Sequence, residues 1–314
     1  MGDDQPTTLY VQYPEYWAQA HATGSEIAFD WNNRMYLSTT PTLSTSTYFK
    51  PNLLGGSIEF DVNLNRSDCG CLTALYAIVM PATLNNDDPF QYCDGAYVGG
   101  HGCPEFDVME ANKYAFRTTA HKCTDNGNSF SACDGNGKCT TDVILEQPSG
   151  SYGPGSATGI DTNQEFHVKQ VFHESGGSFT GYTTTLSQGS KSVTMSKSDC
   201  SDYLANMSTD MTHMVIAISN WSSDNFDWLQ HGVCSGSCSQ TTTWSELSNL
   251  KFYTTTVEPA AAPEPEAVEY AYGDDCSSPT DQDCALVPNC SKCSWSWPKD
   301  DPATWASSDA KCRC

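Results

Sequence analysis

Between Leu9 and about Val257, apolar and polar residues alternate over short runs: GSIEFDVNL, FHVKQVF, GYTTTL, HMVIAIS and LKFYTTT. A period of two puts every second side chain on the same face of an extended chain, so each run predicts a β-strand with one buried face. Several runs are rich in Val, Ile, Tyr, Phe and Thr, and Gly, Asn, Asp and Ser break them at turns. No amphipathic segment of helical period separates them, which favours an antiparallel sandwich over a parallel sheet. The run CLTALYAIVM is longer and almost wholly apolar. It fits a strand covered on both faces, and periodicity alone also allows a buried helix there.

VEPAAAPEPEAVEY, residues 257 to 270, interrupts this pattern with Pro, Ala and Glu, the composition of a stiff, charged linker. The expected organisation is a β-sandwich domain over 1–257, a linker over 258–273 and a cysteine-rich module over 274–314. That last segment carries six of the sixteen cysteines. So small a unit depends on disulfides rather than on a core of its own. Its Trp295, Trp297 and Trp305 fit either a miniature core or an exposed strip that binds polysaccharide.

The other ten cysteines, Cys69 to Cys238, are even in number and can pair among themselves. Together with the sequons at Asn65, Asn206, Asn220 and Asn289, they predict a secreted, extracellular protein with a disulfide framework. A glycan at Asn220 would obstruct a cleft if its strand lines one, so use of that sequon is not expected. MGDDQPTTLY has neither the basic start nor the apolar core of a signal peptide, so Met1 is read as starting a mature or engineered chain. No stretch approaches the roughly 18 apolar residues of a membrane-spanning helix. With 15 Lys and Arg against 38 Asp and Glu, the formal charge is −23. A chain so acidic lacks the basic surface that nucleic acids or anionic membranes require. A monomer acting on neutral or basic material is the expectation.

The acids are not evenly spread. PEFDVMEAN, residues 104 to 112, holds Glu105, Asp107 and Glu110 within six positions, interleaved with apolar Phe106 and Val108. On a regular strand Glu105 and Asp107 share a face and Glu110 points away. One extra residue around Val108 and Met109, a β-bulge, returns Glu110 to the same face. The extended pattern is read as continuing through Asn112 into KYAFRTTAH. Repulsion among three neighbouring carboxylates raises the pKa of at least one and retains a proton, the condition for general acid catalysis. Acidic triplets also occur on solvated faces and in calcium loops, but the alternation with apolar residues favours a sheet. A retaining glycosidase needs one ionised and one protonated carboxyl about 5–5.5 Å apart. Glu105 as nucleophile, Asp107 as its helper and Glu110 as acid and base meet that requirement.

PEFDVMEAN followed by AHKC resembles the E-x-D-x-x-E-A-N signature and downstream His-x-Cys of glycoside hydrolase family 7. NRMYLS, LLGGSIEFDVNL, CGCLTALYAIVM, GSYGPGS, MVIAISNW, DWL and WSELSNLKFY resemble the strands of that family in the same order, from about residue 24 to 254. The resemblance implies an all-β, concave antiparallel sandwich of jelly-roll type, followed here by the small disulfide-rich module. It implies a cellulase-like retaining hydrolase without metal or other cofactor, with β-glucan as its partner. It assigns the three carboxylates the roles given above, sets His121 beside them, and places Trp221 and Trp228 in the substrate groove. The matching region is shorter than a typical member and lacks the segments that roof a tunnel, which implies an open cleft and internal cleavage. Met109, where family 7 usually has Trp, is similar to family 16 laminarinases and lichenases, so a β-1,3 or mixed-linkage glucanase or a transglycosylase stays open. A non-catalytic carbohydrate-binding or effector protein on the same scaffold is the reading from another class. His101, His167, His173, His213 and His231 show no metal-ligand spacing.

Overall fold

Two seven-stranded antiparallel sheets carry the chain in a computed structural model. The described residues are 8–12, 20–42, 44–80, 90–127 and 129–254, within a unit spanning Met1–Thr256. The predicted linker and cysteine-rich module lie outside them.

In chain order the strands of the two sheets are β1 (Tyr10–Gln12), β2 (Ala20–Thr23), β3 (Glu26–Asp30), β4 (Asn33–Ser38), β5 (Ser57–Asn63), β6 (Cys71–Ile78) and β7 (Glu105–Ala111). They continue with β8 (Phe116–His121), β9 (Lys138–Asp142), β10 (Phe166–Ser175), β11 (Ser178–Gln188), β12 (Lys191–Lys197), β13 (Val215–Ser222) and β14 (Trp244–Tyr253). One sheet runs β1-β4-β13-β6-β7-β8-β9 and the other β12-β11-β10-β5-β14-β3-β2.

The alternating runs form strands with one buried face. In β10, Phe166, Val168, Gln170 and Phe172 are buried while His167, Lys169 and Val171 are more open. β6, from the longer apolar run, is a central strand between β13 and β7 with all eight residues buried. Its composition follows from its central position, with one face in the core and almost no exposed surface on the other. Phe106 of β7 packs edge-on against Phe172, Phe179 and Tyr182 of the opposing sheet, at centroid distances of 5.1, 5.9 and 5.1 Å. Such pairs contribute about 0.5–1.5 kcal/mol each beyond area burial, and they fix β7 from behind.

The ten cysteines from Cys69 to Cys238 form Cys69–Cys234, Cys71–Cys238, Cys93–Cys103, Cys123–Cys133 and Cys139–Cys200. The first two tie the start of β6 to the segment beyond Trp228.

One expectation needs correction. The chain does not stay extended through Asn112. The Asn112 N–H donates to the Ala115 carbonyl, and its Oδ1 accepts from the Tyr114 and Ala115 N–H groups, turning β7 sharply into β8. Asn220 is fully buried and donates to Ser245 Oγ at 3.1 Å. Among the described residues no helix is long and apolar enough to cross a membrane.

Candidate active site

The register of β7 decides which side chains meet. Against β6, Glu105 pairs with Ile78, Asp107 with Tyr76, and Glu110 with Ala74; the ladder shifts between Leu75 and Tyr76, leaving Val108 as the extra residue. Against β8 the same strand pairs Glu105 with His121, Asp107 with Thr119 and Glu110 with Arg117. Residues 74, 76 and 78, like 117, 119 and 121, lie at intervals of two and so share a face. Opposed residues of a ladder point the same way. The bulge at Val108 and Met109 therefore gathers all three carboxylates on one side of the sheet. Met109 pairs with Leu75 and is wholly buried with it. The residue that resembles family 16 thus belongs to the packed layer behind the site.

The face so formed lines a depression of about 390 Å³. Trp221 of β13 and Trp228, on the one-turn helix Asp227–Gln230, are also in its wall, each 38% exposed. Buried Phe226 lies between them, with ring centroids 4.9 Å from Trp221 and 5.8 Å from Trp228. The three acids, His121 and both tryptophans expected from the sequence all lie on this one depression.

His121 bridges two acceptors. Its Nε2 is 2.9 Å from Asp107 Oδ2, and its Nδ1 is 2.8 Å from the Asp134 carbonyl. A proton on each nitrogen lets the ring donate to both, an arrangement that favours the imidazolium. Burial opposes that charge, but the Asp107 hydrogen bond, the Asp107 and Glu105 charges and the Asp134 carbonyl outweigh it and raise the pKa to about 10. Glu105 Oε2 accepts the Gly95 N–H at 2.9 Å. Burial, then Asp107, holds the Glu105 carboxyl well above the usual range, against the pull of His121 and Gly95. For Glu110, burial and Asp107 push the pKa up to about 8 while His121 and Arg117 act in the opposite sense. The cluster keeps a proton at neutral pH, as general acid chemistry requires.

Gly95 is needed here. A Cβ on it would lie 2.6 Å from His121 Cβ and 3.2 Å from Glu105 Oε2. Glu105, Asp107 and His121 also each present an atom with metal-ligand chemistry, all within 4.8 Å of one another. A metal would have to displace the His121 proton that Asp107 holds, and the donors are accounted for as an ion pair.

Sequence reasoning passed over Arg34, Tyr76, Tyr92, Asp94, Arg117, Thr119 and Ser219, all in the same wall. Arg34 packs its guanidinium on the Tyr92 ring, 3.5 Å from the centroid. Two-residue spacing from His121 identifies Thr119 and Arg117 as soon as β8 is aligned with β7. The others come from strands or loops far away in sequence.

No family model matches the chain. Solved structures do. A family 7 cellobiohydrolase from Daphnia pulex superimposes with a TM-score of 0.60 at 20% identity, covering 75% of this chain and 80% of that one. The Humicola insolens endocellulase gives 0.62 at 20% identity, covering 76% and 78%. The fold is that of family 7. A Melanocarpus albomyces cellobiohydrolase, solved with cellotetraose, adds a TM-score of 0.57 at 20% identity over 75% of this chain and 80% of that one. Within the family 7 fold, the E-x-D-x-x-E strand of this chain is a central strand of its sheet, and the two tryptophans line the same depression as its acids.

The tryptophan platform is open to test. Trp221→Ala should weaken binding of a ring stacked on that indole about 3- to 10-fold, the loss of one aromatic contact of about 0.5–1.5 kcal/mol. Titration calorimetry with oligosaccharides of increasing length reads this directly.

Proposed function

We propose that the protein is a secreted retaining endo-β-1,4-glucanase that hydrolyses cellulose-type β-glucan by double displacement. The observation that carries this reading is the bulge that sets Glu105, Asp107 and Glu110 on one face beside two half-exposed tryptophans. Glu105 and Glu110 stand opposite Ile78 and Ala74. Four strand residues span roughly 13 Å between backbones, and two glutamate side chains are long enough to close that gap to the ~5–5.5 Å that a retaining pair needs.

In this mechanism Glu110 donates its proton to the glycosidic oxygen while Glu105 attacks the anomeric carbon. Glu110 then takes a proton from the water that releases the sugar. Asp107, held by His121, keeps the attacking carboxyl oriented and supplies the negative charge that favours an imidazolium. Burial makes ionising Glu105 costly in the empty cleft. The positive charge that develops on the sugar ring in the transition state offsets that cost, so stabilisation grows as the reaction proceeds. The exposed tryptophans provide flat apolar platforms for sugar rings. Five disulfides support the secreted assignment.

Product analysis by mass spectrometry and proton NMR on soluble cellulose, lichenan, xyloglucan and laminarin tests the reading. Internal cleavage of soluble cellulose with release of β-anomers is the expected result. Cleavage confined to laminarin or lichenan would replace the linkage, α-anomeric products would replace the mechanism, and no product on any glucan would favour a binding protein.

A further inference from the structure

Arg117 stands directly opposite Glu110 in the β7–β8 ladder. Its guanidinium donates in three directions. Nε reaches Thr119 Oγ1 at 3.1 Å, Nη2 reaches Thr140 Oγ1 of β9 at 3.4 Å, and Nη1 reaches the Trp228 carbonyl at 2.7 Å. The same group lies 5.3 Å from the centroid of the Trp228 ring. A second tie follows three residues on: His231 Nε2 is 2.8 Å from Asp142 Oδ2, at the end of β9. The turn that presents Trp228 is thus hooked to β8 through Arg117 and to β9 through His231. Leu229 and Gln230 bury the inner side of this single helical turn and Cys234 and Cys238 tie the chain beyond it to β6, but among the described contacts the Trp228 carbonyl and indole are held from the cleft side by Arg117.

We propose that Arg117 is a positioning residue that holds Trp228 beside Glu110, so that a sugar resting on the indole brings its glycosidic oxygen to the acid. This rests on the hydrolase reading and deepens it, because it names the residue that defines the leaving-group side of the cleft. A planar fork suits the task. It binds a carbonyl along one edge, lies against an aromatic ring and still presents a fixed positive charge to the neighbouring carboxyl. The charged and titratable groups facing Glu110 are Asp107 and Glu105 on its own strand and Arg117 and His121 on β8. β6 contributes Ala74 and Tyr76.

Arg117→Gln and Arg117→Lys separate the two duties, since Lys keeps the charge and loses the fork. Two substrates separate positioning from chemistry: a cello-oligosaccharide, which needs both the platform and the acid, and dinitrophenyl β-cellobioside, whose phenolate leaves without a proton and carries no sugar on that side. Both variants are expected to lose about 10- to 100-fold in kcat/KM on the oligosaccharide, as small misplacements do, and to stay within about 3-fold on the aryl glycoside. The alkaline limb of the oligosaccharide profile should move to higher pH in the Gln variant, where Glu110 has lost its cation, and stay in place in the Lys variant. Equal losses on both substrates would overturn the proposal, as would full oligosaccharide activity in Arg117→Lys. Hydrogen exchange over residues 226–231 supplies a readout independent of activity. Faster exchange in both variants supports the anchor, and unchanged exchange refutes it. If the wild-type protein cleaves neither substrate, the hydrolase reading fails while the exchange result still decides whether Arg117 holds Trp228.

Discussion

Replacing Glu105 by Gln is expected to lower kcat/KM on soluble cellulose by on the order of 10⁴-fold, the scale seen when a reacting group is removed from a cooperating set. The folded structure should survive. The amide has the shape of the carboxyl and retains an oxygen to accept the Gly95 N–H, which Glu105 Oε2 accepts at 2.9 Å in the wild type. What disappears is the nucleophile, and with it one member of a group of mutually repelling acids. Burial and Asp107 already resist the Glu105 charge, so a neutral side chain relieves repulsion rather than creating it. The melting temperature at neutral pH should equal or exceed that of the wild type. Full hydrolytic activity in the variant would remove Glu105 from the mechanism. A collapse of melting temperature alongside activity would show that the carboxyl is structural.

His121→Ala should destabilise the protein by about 3–5 kcal/mol, because it removes one partner of a buried ion pair. His121 and Asp107 are 8% and 5% exposed. Without the ring, Asp107 loses its 2.9 Å partner, and the acids around it lose the nearest positive charge. The wild-type contribution also has a defined pH dependence. The His121 pKa is raised from 6.5 to about 10 in the folded protein. Its stabilisation is complete below about pH 6.5 and is lost as pH rises through about 10. Glu110 acts in the same sense. Its pKa is raised from 4.5 to about 8, so the folded state binds that proton more tightly and loses the advantage as pH rises through about 8. The wild type should therefore melt at progressively lower temperature between about pH 5 and about pH 9.5. His121→Ala should melt lower at acid pH and decline less steeply above about pH 6.5. A melting curve in the variant parallel to that of the wild type across this range would show that His121 is not charged in the folded protein.

Much of the site's local geometry is legible in the amino-acid sequence. Phe166, Val168 and Phe172 alternate with open neighbours because a two-residue period is a local property, and the strand that holds them needs no tertiary information to be recognised. The bulge is legible too: three acids interleaved with Phe106 and Val108 make chemical sense on one face only if a residue is added near Val108 and Met109. Asn112 shows where local reading fails. Its side chain caps a turn, and the alternation of the flanking strands continues on either side as if the turn were absent. The burial of Asn220 is equally invisible to local reading. Its facing depends on the register between β13 and β6, where Ser219 pairs with Ala74 and Trp221 with Leu72. Met109, a specificity marker by its resemblance to family 16, faces the interior because the bulge turns it there.

The sequence by itself determined the strands, the even set of cysteines from Cys69 to Cys238 and the crowding of Glu105, Asp107 and Glu110, since each is read directly along the chain. Only the tertiary structure decided that Arg34, Tyr92 and Asp94 share a wall with those acids, that His121 sits between the Asp107 carboxylate and the Asp134 carbonyl, and that Arg117 grips Trp228 across 111 positions. The reason is physical. Alternation records which face of a strand is buried, but pairing between distant strands is set by how two whole sheets fill the space between them, and no short stretch of the chain carries that information.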